Sequence, residues 1–195
     1  QRQMCIRDSF HDNYDDAYMH SPDWDERIIC RYPDGGLLKG GVWAGGQSYI
    51  IAHHKYMRPG WGGRERIERT CKLYPVRESY HIDVLSAVPV RHDYDPADPG
   101  NAEANFRGKL EVIRLFNQHG LDVTSEFLTW PFIGPITRFR ALACPGLPWM
   151  HRQFFLRETM APVVPAACHG KVAYGGHCRD YTYAVAYGFN FATDW

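Results

Sequence analysis

The sequence predicts an α/β domain built on a parallel sheet, either doubly wound or closed into a barrel. Two observations predict it. Residues 80–85, 102–119 and 121–128 read as strand, helix and strand, with Gly120 stopping the helix. Such a βαβ unit demands a parallel pair and a crossover. Helix-like residues 147–160, then an apolar strand over 163–168, continue the alternation. Without internal repeat or low-complexity linker, residues 10–195 read as one domain.

Residues 1–9 share no pattern with the rest of the chain, and Met4 to Ser9 reads as an adapter-derived leader outside the fold. Residues 10–24 are polar and aromatic and read as a loop, with Ser21-Pro22-Asp23 as a helix start or turn. Segments 27–32 and 37–43 flank Pro33-Asp34-Gly35-Gly36, a hairpin turn. Gly45-Gly46 precedes a short strand over 49–52. Residues 62–74 read as a helix, with Ile67, Cys71 and Tyr74 on one side and Pro75 ending it. The clearest helix is 102–119, where Phe106, Leu110, Ile113 and Phe116 form an apolar stripe. Residues 181–191 form a last helix or strand.

The 195 residues suffice for one core. They fall short of the roughly 250 of a complete (β/α)8 barrel. Basic and acidic side chains balance at 22 each, which argues against nucleic-acid or membrane-surface partners. No apolar run is long enough to span a membrane. Six scattered cysteines without a CxxC pair give neither a metal framework nor a disulfide scaffold, and read as mostly free, half-buried thiols. Several tryptophans, among them Trp43, Trp61, Trp130 and Trp149, lie in Gly-rich or Pro-rich text. Flat rings placed there suit the apolar faces of sugars.

Two carboxylates carry the chemistry. Asp83 and Glu126 fall near the C-terminal ends of successive strands, and in a parallel barrel those ends open on the active-site face. Neighbouring strands lie about 4.8 Å apart. The two carboxyls can therefore approach to about 5–5.5 Å, the separation of a retaining glycosidase, whereas inversion needs about 6.5–9.5 Å to admit a water. The shorter Asp83 suits a fixed nucleophile and the longer Glu126 an acid/base. Against this stands the plain alternative that both are solvated strand residues.

The stretch Tyr80-His81-Ile82-Asp83-Val84, followed after the helix by Gly120-Leu121-Asp122-Val123-Thr124-Ser125-Glu126-Phe127, resembles the catalytic core of the α-N-acetylgalactosaminidases of glycoside hydrolase families 101 and 129. The resemblance is closest to family 129 and its bacterial relatives. It is clearest over residues 82–127. It implies a (β/α)8 TIM-type barrel, here truncated on its N-terminal side, with Asp83 as nucleophile and Glu126 as acid/base. The implied activity is removal of α-linked N-acetylgalactosamine or galactose from a glycan by double displacement, without cofactor or metal. Leu85-Ser86 departs from family 101, which carries an aromatic there. The competing readings are a carbohydrate-binding barrel that does not cleave and a metal-dependent barrel hydrolase.

Around this pair, His11-Asp12-Asn13-Tyr14-Asp15-Asp16 is dense in hydrogen-bonding groups, so Asp12, Tyr14 and Asp16 are expected to grip sugar hydroxyls. A solvated or calcium-binding turn is the alternative, although the spacing is not that of an EF-hand. Asp93 lies on the loop after Asp83 and is expected on the aglycone side. Trp130 follows Glu126 and is expected to stack on sugar, while His169, at another strand end, is expected to donate to a hydroxyl. Trp43 sits on a Gly-rich hairpin lacking the GK[ST] of a phosphate loop. His53-His54 and His92-Asp93 lack zinc-site spacing.

Overall fold

Local chemistry explains most elements of the computed structural model, which describes residues 9–142 and 172–174. The first strand, β1 (Ser9–Asn13), lies where the sequence reads as leader and loop. Its residues alternate between two polar environments, so no apolar run marks it. A small antiparallel sheet comes next, of β2 (Asp16–Tyr18), β3 (Lys39–Trp43) and β4 (Gly46–Ile50), in the order β2-β4-β3. The arm expected as a strand over 27–32 instead begins as a 3-10 turn, Glu26–Ile28, capped by the Asp25 carboxylate on Arg27 N. The turn at Pro33–Gly36 is present: Gly35 adopts φ +85° and Arg31 pairs with Leu37.

Two helices come after this sheet, α1 (His53–Tyr56) and α2 (Gly63–Leu73). Glu65 reaches back to the backbone N–H groups of Gly60 and Gly62, closing the start of α2. Then come β5 (Ser79–Asp83), α3 (Ala102–Gln118) and β6 (Asp122–Leu128). In α3 the Asn101 side chain accepts from Ala104 N at 2.8 Å, and Gly120 takes φ +76° just past the end. A 3-10 turn, Trp130–Phe132, leads to β7 (Arg138–Leu142), and β8 is Ala173–Tyr174. The helix and strands expected over 147–160, 163–168 and 181–191 lie outside the described residues, as does the leader over 1–8.

The main sheet runs β1-β5-β6-β7-β8 and every pair is parallel. Each new strand is added on the same side as the last. A doubly wound sheet reverses its order at a switch point, and the described strands show no such reversal. The fold is therefore mixed α/β around a singly wound parallel sheet, open at β1 and β8 among the described residues.

One face of this sheet is the core. Tyr80 stacks on Phe116 of α3 at 4.5 Å, and Tyr14 meets the same ring edge-on at 5.5 Å. Ile82, Val123 and Phe139 are buried beside them. Burying a ring such as Phe116 contributes about 1.5–3 kcal/mol. The expected stripe of α3 faces the core, with Ile113 and Phe116 buried and Phe106 and Leu110 packed at its edge, but the buried face is wider and also takes in Val112 and the polar Asn105 and Lys109. Phe106 lies at its flank, edge-on to Phe132. No helix among the described residues is long and apolar enough to cross a membrane.

Candidate active site

Strand alternation assigns the opposite face. In β5, Ser79, Tyr80 and Ile82 are buried while His81 and Asp83 are half-buried. In β6, Val123 and Ser125 are buried while Thr124 and Glu126 are half-buried. Register aligns His11, His81, Thr124 and Arg138 in one row across four strands. With Phe139 they line a cavity of about 360 Å³. Asp83 and Glu126 are the next residues past the registered pair Ile82–Ser125, on the face of His81 and Thr124 and toward the C-terminal ends of the strands. Asn13 is in register with Asp83.

The row is internally bonded. His81 Nδ1 lies 2.9 Å from Thr124 Oγ1, and the His11 and His81 rings are 5.2 Å apart. His11 Nε2 approaches Asp83 Oδ1 at 3.4 Å. Among the described residues, His11, His81 and Asp83 offer three donor atoms all within 4.8 Å of one another. This grouping is hidden along the sequence, because His11 and His81 meet only through strand register. Residue alternation is the one signal that points to it: His81 lies two before Asp83, on the same face.

The backbone after Asp83 is unusual. Val84 adopts φ +48°, a conformation rare for a β-branched residue and costing on the order of 1–3 kcal/mol. The turn that begins there is closed by Ala87 N and Val88 N, each donating to Val84 O at 2.9 Å. It is also held from β6. Ser125, fully buried, donates to Ile82 O at 2.8 Å and accepts from Ser86 N at 3.2 Å, while Thr129 donates to Ser86 O at 2.8 Å.

Several expected sugar-binding residues stand elsewhere. Tyr14 is fully buried, its ring under the Arg66 guanidinium at 4.4 Å, so it belongs to the core and not to a binding surface. Burial pushes its phenol up. Asp93 is likewise interior: it pairs with Lys55 Nζ at 2.8 Å, both side chains fully enclosed, and accepts from Arg31 N at 2.8 Å. It organises the loop and does not border the cavity. Asp12 alternates with His11 and faces α2, where it pairs with Arg66 at 2.7 Å. Asp16 accepts from Asn13 Nδ2 at 2.7 Å in the turn leaving β1. Trp43 is 64% exposed on its hairpin, with its ring lying against Gly41. Trp130 begins the turn after β6, and His169 lies outside the described residues.

His53 and His54 are held inside the fold. His53 is enclosed, with Nε2 3.0 Å from Tyr14 O, and burial holds its imidazole well below the usual range. His54 binds Asn105 Oδ1 at 3.1 Å. Cys30 and Cys71 are free thiols, and burial pushes that of Cys30 up to about 12. The other four cysteines lie outside the described residues.

A polar sheet face with carboxylates at adjacent strand ends stands on a fold that solved structures of one glycosidase share. The alpha-N-acetylgalactosaminidase NagBb from Bifidobacterium bifidum, as a quadruple mutant, is similar with a TM-score of 0.76 at 15% identity, over 95% of this chain and 30% of that one. The ligand-free enzyme gives 0.68 at 17% identity, over 85% and 27%. Its GalNAc complex gives 0.59 at 18%, over 68% and 21%. The chain has the fold of a segment of that glycosidase. It spans less than a third of the enzyme's length. No family model and no curated protein matches the sequence.

Proposed function

We propose that the chain is the catalytic segment of a retaining α-glycosidase acting on α-linked N-acetylgalactosamine or galactose, within a (β/α)8 barrel of which the described sheet is part. The observation that carries this reading is the position of Asp83 and Glu126, one step past a registered pair on adjacent parallel strands and on one polar face. Carboxyls so placed suit the short separation of a retaining pair. Asp83 attacks the anomeric carbon while Glu126 protonates the departing oxygen. Glu126 then takes a proton from water, which hydrolyses the glycosyl ester on Asp83. His11, 3.4 Å from Asp83, is placed to orient the attacking carboxylate. The fold likeness to an enzyme solved with GalNAc supports the choice of sugar.

An aryl α-N-acetylgalactosaminide tests the reading. Glu126→Ala should lose about 10²–10⁴ in turnover, and azide should restore release while giving the α-glycosyl azide. Loss without azide rescue, or a β-azide, removes Glu126 from the acid/base role. A second reading, metal-dependent hydrolysis, is favoured by the clustering of His11, His81 and Asp83, residue types that bind zinc or manganese. It predicts activity abolished by a chelator and restored by the metal, whereas double displacement on Asp83 proceeds with the chelator present.

A further inference from the structure

Lys109 is a charged residue in the core-facing stripe of α3, its side chain 3% exposed. An ammonium carries three donors and no acceptor, and three acceptors surround this one. Nζ donates to Leu85 O at 3.0 Å and to Val88 O at 3.1 Å, and forms a close ion pair with Asp15, whose side chain is 1% exposed. Lys109 is the cation that faces the Asp15 carboxylate, by both charge and hydrogen bonding. His53 Nε2 stands 3.8 Å from the same carboxylate. Asp15 belongs to the connection between β1 and β2, Leu85 and Val88 to the turn after Asp83.

Burying an ammonium is expensive unless it is paired and hydrogen-bonded. An apolar residue at position 109 would satisfy the helix packing alone, but would leave the carbonyls of Leu85 and Val88 without that donor. The side chain therefore does what packing does not require: it draws two carbonyls of one short turn onto α3. Ser125 and Thr129 hold the same turn at Ser86 from the β6 side. Between these anchors Val84 is kept at φ +48°, a conformation that persists only where surroundings over-determine it.

We propose that Lys109, charge-compensated by Asp15, is the positioning residue of the site: it clamps the Val84–Val88 turn to α3 and so fixes the direction in which Asp83 presents its carboxylate. The inference rests on Asp83 as nucleophile, but its structural half does not. A displacement of about 1 Å at the attacking atom is enough to cost about 10²-fold in rate.

Lys109→Met alone leaves Asp15 buried and uncompensated and can fail to fold, so the test is the Asp15→Asn/Lys109→Met double variant of the full chain, which removes both charges at similar shape. Amide hydrogen exchange at residues 84–88 should rise at least about tenfold while the amides in the middle of α3 stay protected. On an aryl α-glycoside, kcat should fall about 10²-fold with KM changed less than about threefold. Exchange at 84–88 unchanged in the double variant overturns the clamp. Faster exchange with unchanged kcat overturns its positioning role. A complete barrel that contains this segment and has no glycosidase activity refutes the proposed function instead, and the exchange arm still decides the clamp.

Discussion

At Asp83 and Val84 a half-buried carboxylate stands directly before a strained backbone. Asp83→Asn should reduce turnover of an aryl α-glycoside to background while leaving thermal unfolding within about 1 kcal/mol of wild type, as expected for a half-exposed surface substitution. Val84→Gly separates strain from positioning. Glycine adopts φ +48° freely, so the native turn is relieved, but the unfolded chain gains freedom. Stability should stay within about 1 kcal/mol, while kcat falls because the turn is no longer stiff. A kcat equal to wild type would show that stiffness at Val84 is dispensable. Asp83 and Glu126 stand out in the sequence because each falls toward the end of a short β-rich run. Their neighbours cannot, since His11 and His81 lie 70 positions apart and meet only in register. Tyr14 and Asp93 are drawn toward the site by hydrogen-bonding capacity, which says nothing about burial; in the fold that capacity is used inside, by Thr70 and Lys55.

At the scale of elements, α3 sits where helices and sheet meet. A methyl added at Gly108 would lie 2.5 Å from the His53 carbonyl carbon and oxygen, so α1 and α3 touch through a residue without a side chain. Gly108→Ala should destabilise by about 1–3 kcal/mol, read by denaturant unfolding with an unchanged m-value. Ser125→Ala should cost a similar amount, about 1–3 kcal/mol, by leaving Ile82 O and Ser86 N without their buried partner. A cost near zero would mean that the turn closes without it. The helix is legible because its Asn cap, periodicity and glycine stop agree on one answer. β1 is not. A strand with polar residues on both sides, one for the cavity and one for Arg66, carries no apolar alternation and reads as loop. Lys109 escapes for the reverse reason, since a lysine in an amphipathic helix reads as solvent-facing until its acceptors are seen.

For the molecule as a whole, pH acts through groups whose burial is fixed by the fold. The His53 imidazole is held well below its usual 6.5, so between that value and its folded value the unfolded chain binds the extra proton. Stability is then present above pH 6.5 and lost as pH falls, by up to about 1.4 kcal/mol per unit. Asp15 works in the opposite sense, because burial raises it above 3.8 and the folded state takes up its proton first. The Lys55 and Arg58 partners of Asp95 and Asp98 hold those carboxyls low, which adds a further loss below about pH 4. Unfolding followed from pH 7 to 5 should therefore show a decline that His53→Gln flattens. An unflattened decline would place the titrating group elsewhere. The alternation of strands and helices foretells a parallel sheet but leaves two windings open; among the described residues each strand adds on the same side as the last, and only three-dimensional pairing contains that information. The proposed chemistry turns on the covalent role of Asp83. Incubation with an activated fluoro-α-galactosyl fluoride, followed by peptide mass spectrometry, should find one sugar adduct on the segment 79–85, at Asp83. An adduct on another residue, or product released with inverted configuration and no adduct, would contradict it.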